Sequence, residues 1–254
     1  MKKYAVITGA SSGIGKEMAK ILAKRGYALI LVARREKRLE SLARALKTEV
    51  IPFEADVSRD EDRKRLLELI DRKNVEIFIN NAGFGDCGKF TDTSLEKEKQ
   101  MIDVNITAVH VFTKEMVKRF VKKDHGYLLN VASSAGLLPA GPFMATYYAT
   151  KAYVASLTQA VAEELKERGK KVYVGALCPG PVRTEFDQVA DVKFSMSGIS
   201  AKRCASYAIN QMFLKELIIV PTFYMKAAVF FSRLLPREVL LPMTAKQQMR
   251  KIYK

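Results

Sequence analysis

Short apolar runs recur along this chain with hardly a polar residue inside them: YAVIT at 4–8, ALILVA at 28–33, VIPF at 50–53, IFIN at 77–80, YLLNVA at 127–132, VYVGAL at 172–177 and LIIVP at 217–221. A strand covered on one face alternates apolar with polar residues; a strand without that alternation is covered on both. Between the runs lie charged, amphipathic stretches. In KEMAKILAKRG (16–26), Met18, Ile21 and Leu22 share one face and Gly26 offers a C-cap; RDEDRKRLLELIDRK (59–73) is similar. Repeated strand–helix units need right-handed crossovers, and so a parallel sheet with helices on both faces. The expected fold class is α/β and doubly wound, with a central parallel sheet of about seven strands. At 254 residues, 48% of them hydrophobic, the chain can build such a core as one domain. No linker, low-complexity segment or internal repeat divides residues 1–254. The alternation weakens after about 183, which assigns 184–254 to a substrate wall and a C-terminal helical extension.

The stretch VITGASSGIG (6–15) sets Gly9, Gly13 and Gly15 between the first strand and the first helix, spaced GxxxGxG. A glycine turn lets backbone approach a pyrophosphate, whose charge meets free N–H groups and the positive end of the helix. Ser11 and Ser12 add hydroxyl donors, and Ile14 sits among them. This is a phosphate cradle, and with the strand–helix alternation it makes the fold a Rossmann fold. The end of the second strand reports on the cofactor. An acidic residue there would take the adenosine ribose hydroxyls. The chain instead reads LVARREKRL (31–39), with Arg34 and Arg35 following the strand and no acid at its end. Arginine forks clamp a 2′-phosphate through charge-assisted bonds, so NADP(H) is the expected cofactor. Asp56, followed by Val57 in EADVS (54–58), is placed either to bond the adenine amine or to N-cap the next helix.

YYATK (147–151) raises a question of register. On a helix Tyr147 and Lys151 are i and i+4, and Tyr148 precedes the lysine by three, so periodicity leaves both tyrosines open. An ammonium beside a phenol favours the phenolate and lowers its pKa. A tyrosine tuned in this way exchanges a proton with a carbonyl or alcohol oxygen.

TGASSGIG (8–15), NNAG (80–83), Asn105 in DVNITAV, the serines of NVASSAG (130–136), YYATK and LCPGPVRTEF (177–186) occur in that order. Together they resemble the short-chain dehydrogenase/reductase family over about residues 4–190. The resemblance implies an oxidoreductase and selects Tyr147 as the general acid/base, with Tyr148 packing or lining the pocket. It implies that Lys151 lowers the tyrosine pKa and bonds the nicotinamide ribose, and that Asn105 holds a water in the proton relay. Asn81, Ala82 and Gly83 flank the adenosine side of the cofactor. Pro179, Gly180, Val182 and Thr184 form the turn near the nicotinamide. The serine that orients the carbonyl is Ser133 when counted from the strand residue Asn130, or Ser134 when counted back from the tyrosine; the strand anchor favours Ser133.

The expected reaction is NADPH-dependent, reversible reduction of a carbonyl in a hydrophobic ketone, aldehyde or acyl compound. The pocket is expected from the loop 136–146, from 184–200 and from the C-terminal segment, through Leu137, Leu138, Phe143, Met144, Phe186, Phe194 and Met196. Against this stand a catalytically silent NADP(H)-binding regulator and a peripheral membrane protein of the same fold. The formal charge of +16 attracts anions, but no nucleic-acid recognition motif accompanies it. Three scattered cysteines and two isolated histidines offer neither a disulfide framework nor a metal site. They suit a reducing cytoplasm, as does a start that runs into strand and glycine loop without a cleavable apolar region. A homodimer or homotetramer is the expected assembly. In FYMKAAVFFSRLLP (223–236), Phe223, Ala227, Phe230, Phe231 and Leu234 recur at near-helical spacing, and Lys246, Arg250, Lys251 and Lys254 follow. This face either packs over the pocket or a second subunit, or meets anionic lipid.

Overall fold

The computed structural model describes residues 2–186 and 198–252, with the side chains of 250–252 left out of account. The strands are β1 (Tyr4–Thr8), β2 (Ala28–Ala33), β3 (Val50–Glu54), β4 (Val75–Asn80), β5 (Gly126–Val131), β6 (Val172–Leu177), β7 (Val182–Arg183), β8 (Ile199–Ser200) and β9 (Ile218–Ile219). The helices are α1 (Gly13–Lys24), α2 (Glu36–Ala45), α3 (Asp60–Asp71), α4 (Leu95–Ile102), α5 (Val109–Lys123), α6 (Ala145–Glu167), α7 (Ala201–Phe213), α8 (Phe223–Ser232) and α9 (Arg237–Ile252). Each apolar run forms a strand, and seven of the strands make one sheet in the order β3-β2-β1-β4-β5-β6-β9. Every pairing in it is parallel. The short β7 and β8 pair only with each other.

Burial on both faces explains the unbroken apolar runs. Ala5, Ile7, Leu29 and Leu31 point to one side, where Met18 and Leu22 of α1, Leu39 of α2 and Ile209 of α7 meet them. Tyr4, Val6, Ile30 and Phe78 point to the other, against Leu66 of α3, Phe112 of α5 and Leu165 of α6. Within 184–254, α7 buries Cys204, Ala205, Ala208, Ile209 and Met212 in the first of these cores, and β9 extends the sheet at the strand expected over 217–221.

Strand order reverses between β1 and β4, and the crevice outside their carboxyl ends is where such a sheet takes a ligand. Just inside that edge Asn80 and Asn130 are register partners on β4 and β5. Asn80 donates to Asn130 Oδ1 at 2.8 Å, and Asn130 donates to Thr113 at 3.2 Å and Thr158 at 3.0 Å. Buried amides are tolerated in an apolar core when they are paired in this way.

Candidate active site

The glycine loop leaves β1 and enters α1. Gly9 sits at φ +66°, a conformation L side chains rarely adopt, and a Cβ there would come within 2.8 Å of Ala82 Cα and Asn81 Nδ2. Asn81 holds the loop from below, donating to Thr8 O at 2.9 Å and Gly9 O at 3.1 Å, while Thr8 Oγ1 accepts from Asn81 N and Ala82 N. The loop is therefore fastened to the end of β4, with its outer face open to a cavity of about 960 Å³.

That cavity brings together almost every residue expected to hold the cofactor. Gly9, Ser11, Ser12, Gly13 and Ile14 line it, as do Arg34, Arg35, Asp56 and Val57. So do Asn81, Ala82, Gly83, Pro179, Gly180, Val182 and Thr184. Gly15 does not line it. A Cβ there would meet Asn81 Nδ2 at 2.5 Å and Gly9 O at 2.6 Å, so its part is to let the loop close on Asn81. Asp56 is not a helix N-cap, because Arg59 occupies that position before α3. It instead folds its own turn, accepting from Ser58 N at 3.0 Å and Ser58 Oγ at 2.7 Å.

The arginines after β2 differ in their engagement. Arg34 is largely exposed and lies 3.9 Å from Asp56. Arg35 reaches back to the glycine loop and donates to Ser11 Oγ and Ser12 Oγ, each at 2.9 Å. It also donates to Glu185 at 2.8 Å, and Arg38 donates to the second oxygen of that carboxylate at 2.6 Å. The two arginines hold Glu185 well below the usual carboxylate range, chiefly through these bonds. Arg38 was not singled out from the sequence, although it follows Arg35 by one helical turn.

At the far end of the crevice, Ser133 follows β5 and Tyr147 lies in the first turn of α6. Ser133 sits beside the Tyr147 phenol and acts to lower its pKa, and its hydroxyl donates to Pro179 O at 3.5 Å. Its Oγ also accepts from Ala135 N at 3.1 Å. Ser134 lines the same cavity, but its backbone N–H is tied to Pro179 O at 2.9 Å. Lys151 is buried, with its Nζ 5.9 Å from the centre of the Tyr147 ring, and it donates to Val131 O at 2.9 Å. Tyr148 turns away: its hydroxyl accepts from Gln248 Nε2 at 2.7 Å. The structure thus places Tyr147, and not Tyr148, beside Ser133 and Lys151.

The expected depression of the tyrosine pKa is not what the protein alone sets. Burial pushes the Tyr147 phenol up to about 12, against a smaller lowering by the Ser133 hydrogen bond. Burial also pulls Lys151 down to about 8. Desolvation disfavours both charged forms and is the largest cause at each.

Asn105 does not line the cavity. It sits in a π-helical turn, Asp103–Ala108, between α4 and α5. Its amide donates to Phe84 O at 2.9 Å and Thr150 Oγ1 at 3.1 Å and accepts from Phe84 N at 3.2 Å. These bonds fix segment 83–85 against α6.

The substrate wall differs in part from expectation. Leu138, Met144 and Phe186 line the cavity, and Phe186 packs on Tyr147 with ring centres 5.4 Å apart. Leu137 packs into a core cluster instead, Phe143 faces a separate small pocket, and Phe194 and Met196 lie outside the described residues. Much of the rest of the wall comes from α8 and α9, through residues such as Met225, Leu240, Met243 and Gln248. The apolar stripe predicted on α8 points mainly outward: Phe223 is 87% exposed and Phe230 59%, whereas Met225 and Val229 are buried. Apart from Lys226 and Ser232 this helix is apolar on every side, so periodicity does not select its inner face.

A model of the short chain dehydrogenase family matches residues 3–193. A very-long-chain 3-oxoacyl-CoA reductase of Neurospora crassa is 35% identical over 180 residues, 67% of this chain, and the chain spans about half (54%) of that protein's length. A solved short-chain dehydrogenase from Sphingobium yanoikuyae, in complex with NADPH, superposes with TM-score 0.82 at 30% identity, covering 92% of this chain and 94% of that one. One from Burkholderia phymatum, in complex with NAD, gives TM-score 0.82 at 26% identity, covering 90% and 92%. The glycine loop, the Ser133–Tyr147–Lys151 cluster and these similarities agree, and the chain belongs to the short-chain dehydrogenase family of nicotinamide-dependent oxidoreductases.

Proposed function

We propose that the protein is an NADPH-dependent reductase that converts the carbonyl of a hydrophobic ketone, aldehyde or acyl compound to an alcohol, reversibly. The observation that carries this reading is the convergence of Ser133, Tyr147 and Lys151 on one end of a cavity whose other end is bounded by the glycine loop, Arg34 and Arg35. Tyr147 gives its proton to the carbonyl oxygen, and a phenol with a raised pKa holds that proton at neutral pH, as an acid must. Ser133 orients the same oxygen, and Lys151 backs the tyrosine from within the core. The bound nicotinamide supplies the hydride. The glycine loop takes the pyrophosphate, Arg34 and Arg35 the 2′-phosphate, Asp56 and Val57 the adenine, and Gly180 and Thr184 the nicotinamide end. The apolar lining selects the substrate class, in keeping with a relative named for a very-long-chain 3-oxoacyl-CoA.

NADPH oxidation, followed by absorbance with a panel of ketones, aldehydes and acyl thioesters, tests the reading. A silent regulator binds NADPH and oxidises none. With an active substrate, Ser133→Ala is expected to lower kcat about 10²-fold, as loss of one oxygen-stabilising donor does, with little change in NADPH affinity. Ser134→Ala is expected to be milder, and the reverse ranking would move the orienting role to Ser134.

The outward face of α8 favours a second contact. Phe223, Phe230, Phe231 and Leu234 are exposed, and Lys226 and Arg233 flank Phe230 along the helix. From 222 to the end the sequence has seven basic residues and one acid. Such a surface suits anionic lipid at the cytoplasmic side, each basic residue near the surface adding about 1 kcal/mol at low salt. No helix among the described residues is long and apolar enough to cross a membrane. Truncation at 222 is expected to abolish co-sedimentation with anionic vesicles and to raise KM more than the NADPH Kd. Some loss of cofactor affinity is included, because Met225 packs on Gly180. A truncated protein with unaltered KM, stability and vesicle binding would show that α8 and α9 serve neither purpose.

A further inference from the structure

The substrate cavity contains a polar pair that the chemistry above does not use. Gln248, on α9, is 1% exposed, and its Nε2 donates to the Tyr148 hydroxyl at 2.7 Å, across 100 positions of the chain. The other amide atom, Oε1, is buried with no hydrogen-bond partner. Gln248 and Tyr148 both line the cavity, among Met144, Leu138, Leu240 and Met243. An acceptor left unpaired in such surroundings loses its hydration and gains nothing in return. An apolar side chain of the same size would join α9 to α6 without that cost. The leftover acceptor is therefore matched to something that enters the cavity.

We propose that Gln248 and Tyr148 form a second anchor in the substrate site, for a hydroxyl or amide N–H carried by the substrate away from its reacting carbonyl. The inference rests on the reductase reading and adds to it the polar half of the substrate. Adjacent in sequence, the two tyrosines diverge: Tyr147 serves Ser133, and Tyr148 serves α9. Their ring centres are 6.4 Å apart, so one substrate molecule spans both. The Gln248 oxygen accepts the substrate's hydrogen bond. The anchor is uncharged, since burial keeps the Tyr148 proton in place. A hydroxyl or an amide N–H brings the proton that Oε1 can accept, so hydroxy ketones and keto amides are admitted.

The test uses the full-length protein with NADPH and ketones of one carbon skeleton bearing, at several distances from the carbonyl, a hydroxyl, a methyl ether or hydrogen. A keto-amide arm separates the two donors. At the best distance the hydroxy ketone is expected to exceed the hydrogen and ether analogues about tenfold or more in kcat/KM. Gln248→Leu should bring that ratio close to one. Gln248→Glu, which keeps an acceptor, should restore part of it. Thermal melts of each variant show whether α9 still folds. Equal use of all analogues by the wild-type protein, or a preference that survives in folded Gln248→Leu, overturns the proposal. If no ketone is reduced, the reductase reading fails. The anchor is then judged by ligand-induced Tm shifts, which must be larger for the hydroxy ketone than for its hydrogen analogue.

Discussion

Tyr147→Phe is expected to lower carbonyl reduction about 10²–10⁴-fold, the contribution of a positioned general acid, while the NADPH dissociation constant changes little. The phenol oxygen is the only atom removed, and the ring that packs on Phe186 is kept. Loss of activity therefore reports the proton, not the packing. Tyr148→Phe is the control. It removes a hydroxyl bonded to Gln248 rather than to Ser133, so reduction of a simple ketone should continue. Single-turnover measurements with saturating NADPH separate the chemical step from binding. Should Tyr148→Phe be the inactive variant and Tyr147→Phe the active one, the assignment of the acid is wrong.

NADPH is expected to bind at least about tenfold more tightly than NADH, since each charge-assisted phosphate contact contributes roughly 1.5–3 kcal/mol. Arg34→Ala and Arg35→Ala should each narrow the gap. Arg35 is already held by Ser11, Ser12 and Glu185, so it meets a phosphate in a fixed position, while the exposed Arg34 has to be ordered. The larger loss is therefore expected for Arg35. Titration of both cofactors by fluorescence, at fixed ionic strength, checks the ranking. Equal affinities in the wild-type protein would remove the basis for NADPH specificity.

The sheet was legible because strands buried on both faces leave an unambiguous trace, as ALILVA does at β2. The two-residue strands β7 and β8 were not, because two residues carry no period. Spacing alone could not choose between Tyr147 and Tyr148. The choice is made in three dimensions, where the end of β5 brings Ser133 to one ring and α9 brings Gln248 to the other. Partnerships such as Arg35 with Glu185, 150 positions apart, leave no local pattern to read. Periodicity left open whether the apolar stripe of α8 faces the pocket or outward, because amphipathicity identifies an inside only when the outside is polar.

The Asn80–Asn130 pair has a consequence for how accurately the two halves of the site are assembled. Asn81, which fastens the glycine loop, follows Asn80 directly, and Ser133 lies three positions beyond Asn130. Sliding β5 by one residue against β4 would turn Asn130 to the opposite face of the sheet. Asn80 would then lose its 2.8 Å partner inside an apolar core and keep only a 3.5 Å contact with Thr113, at a cost of about 1–3 kcal/mol. Two interior side chains thus act as a datum mark. The distance from the glycine loop to Ser133 is gauged within the sheet, before any residue that lines the cavity is reached.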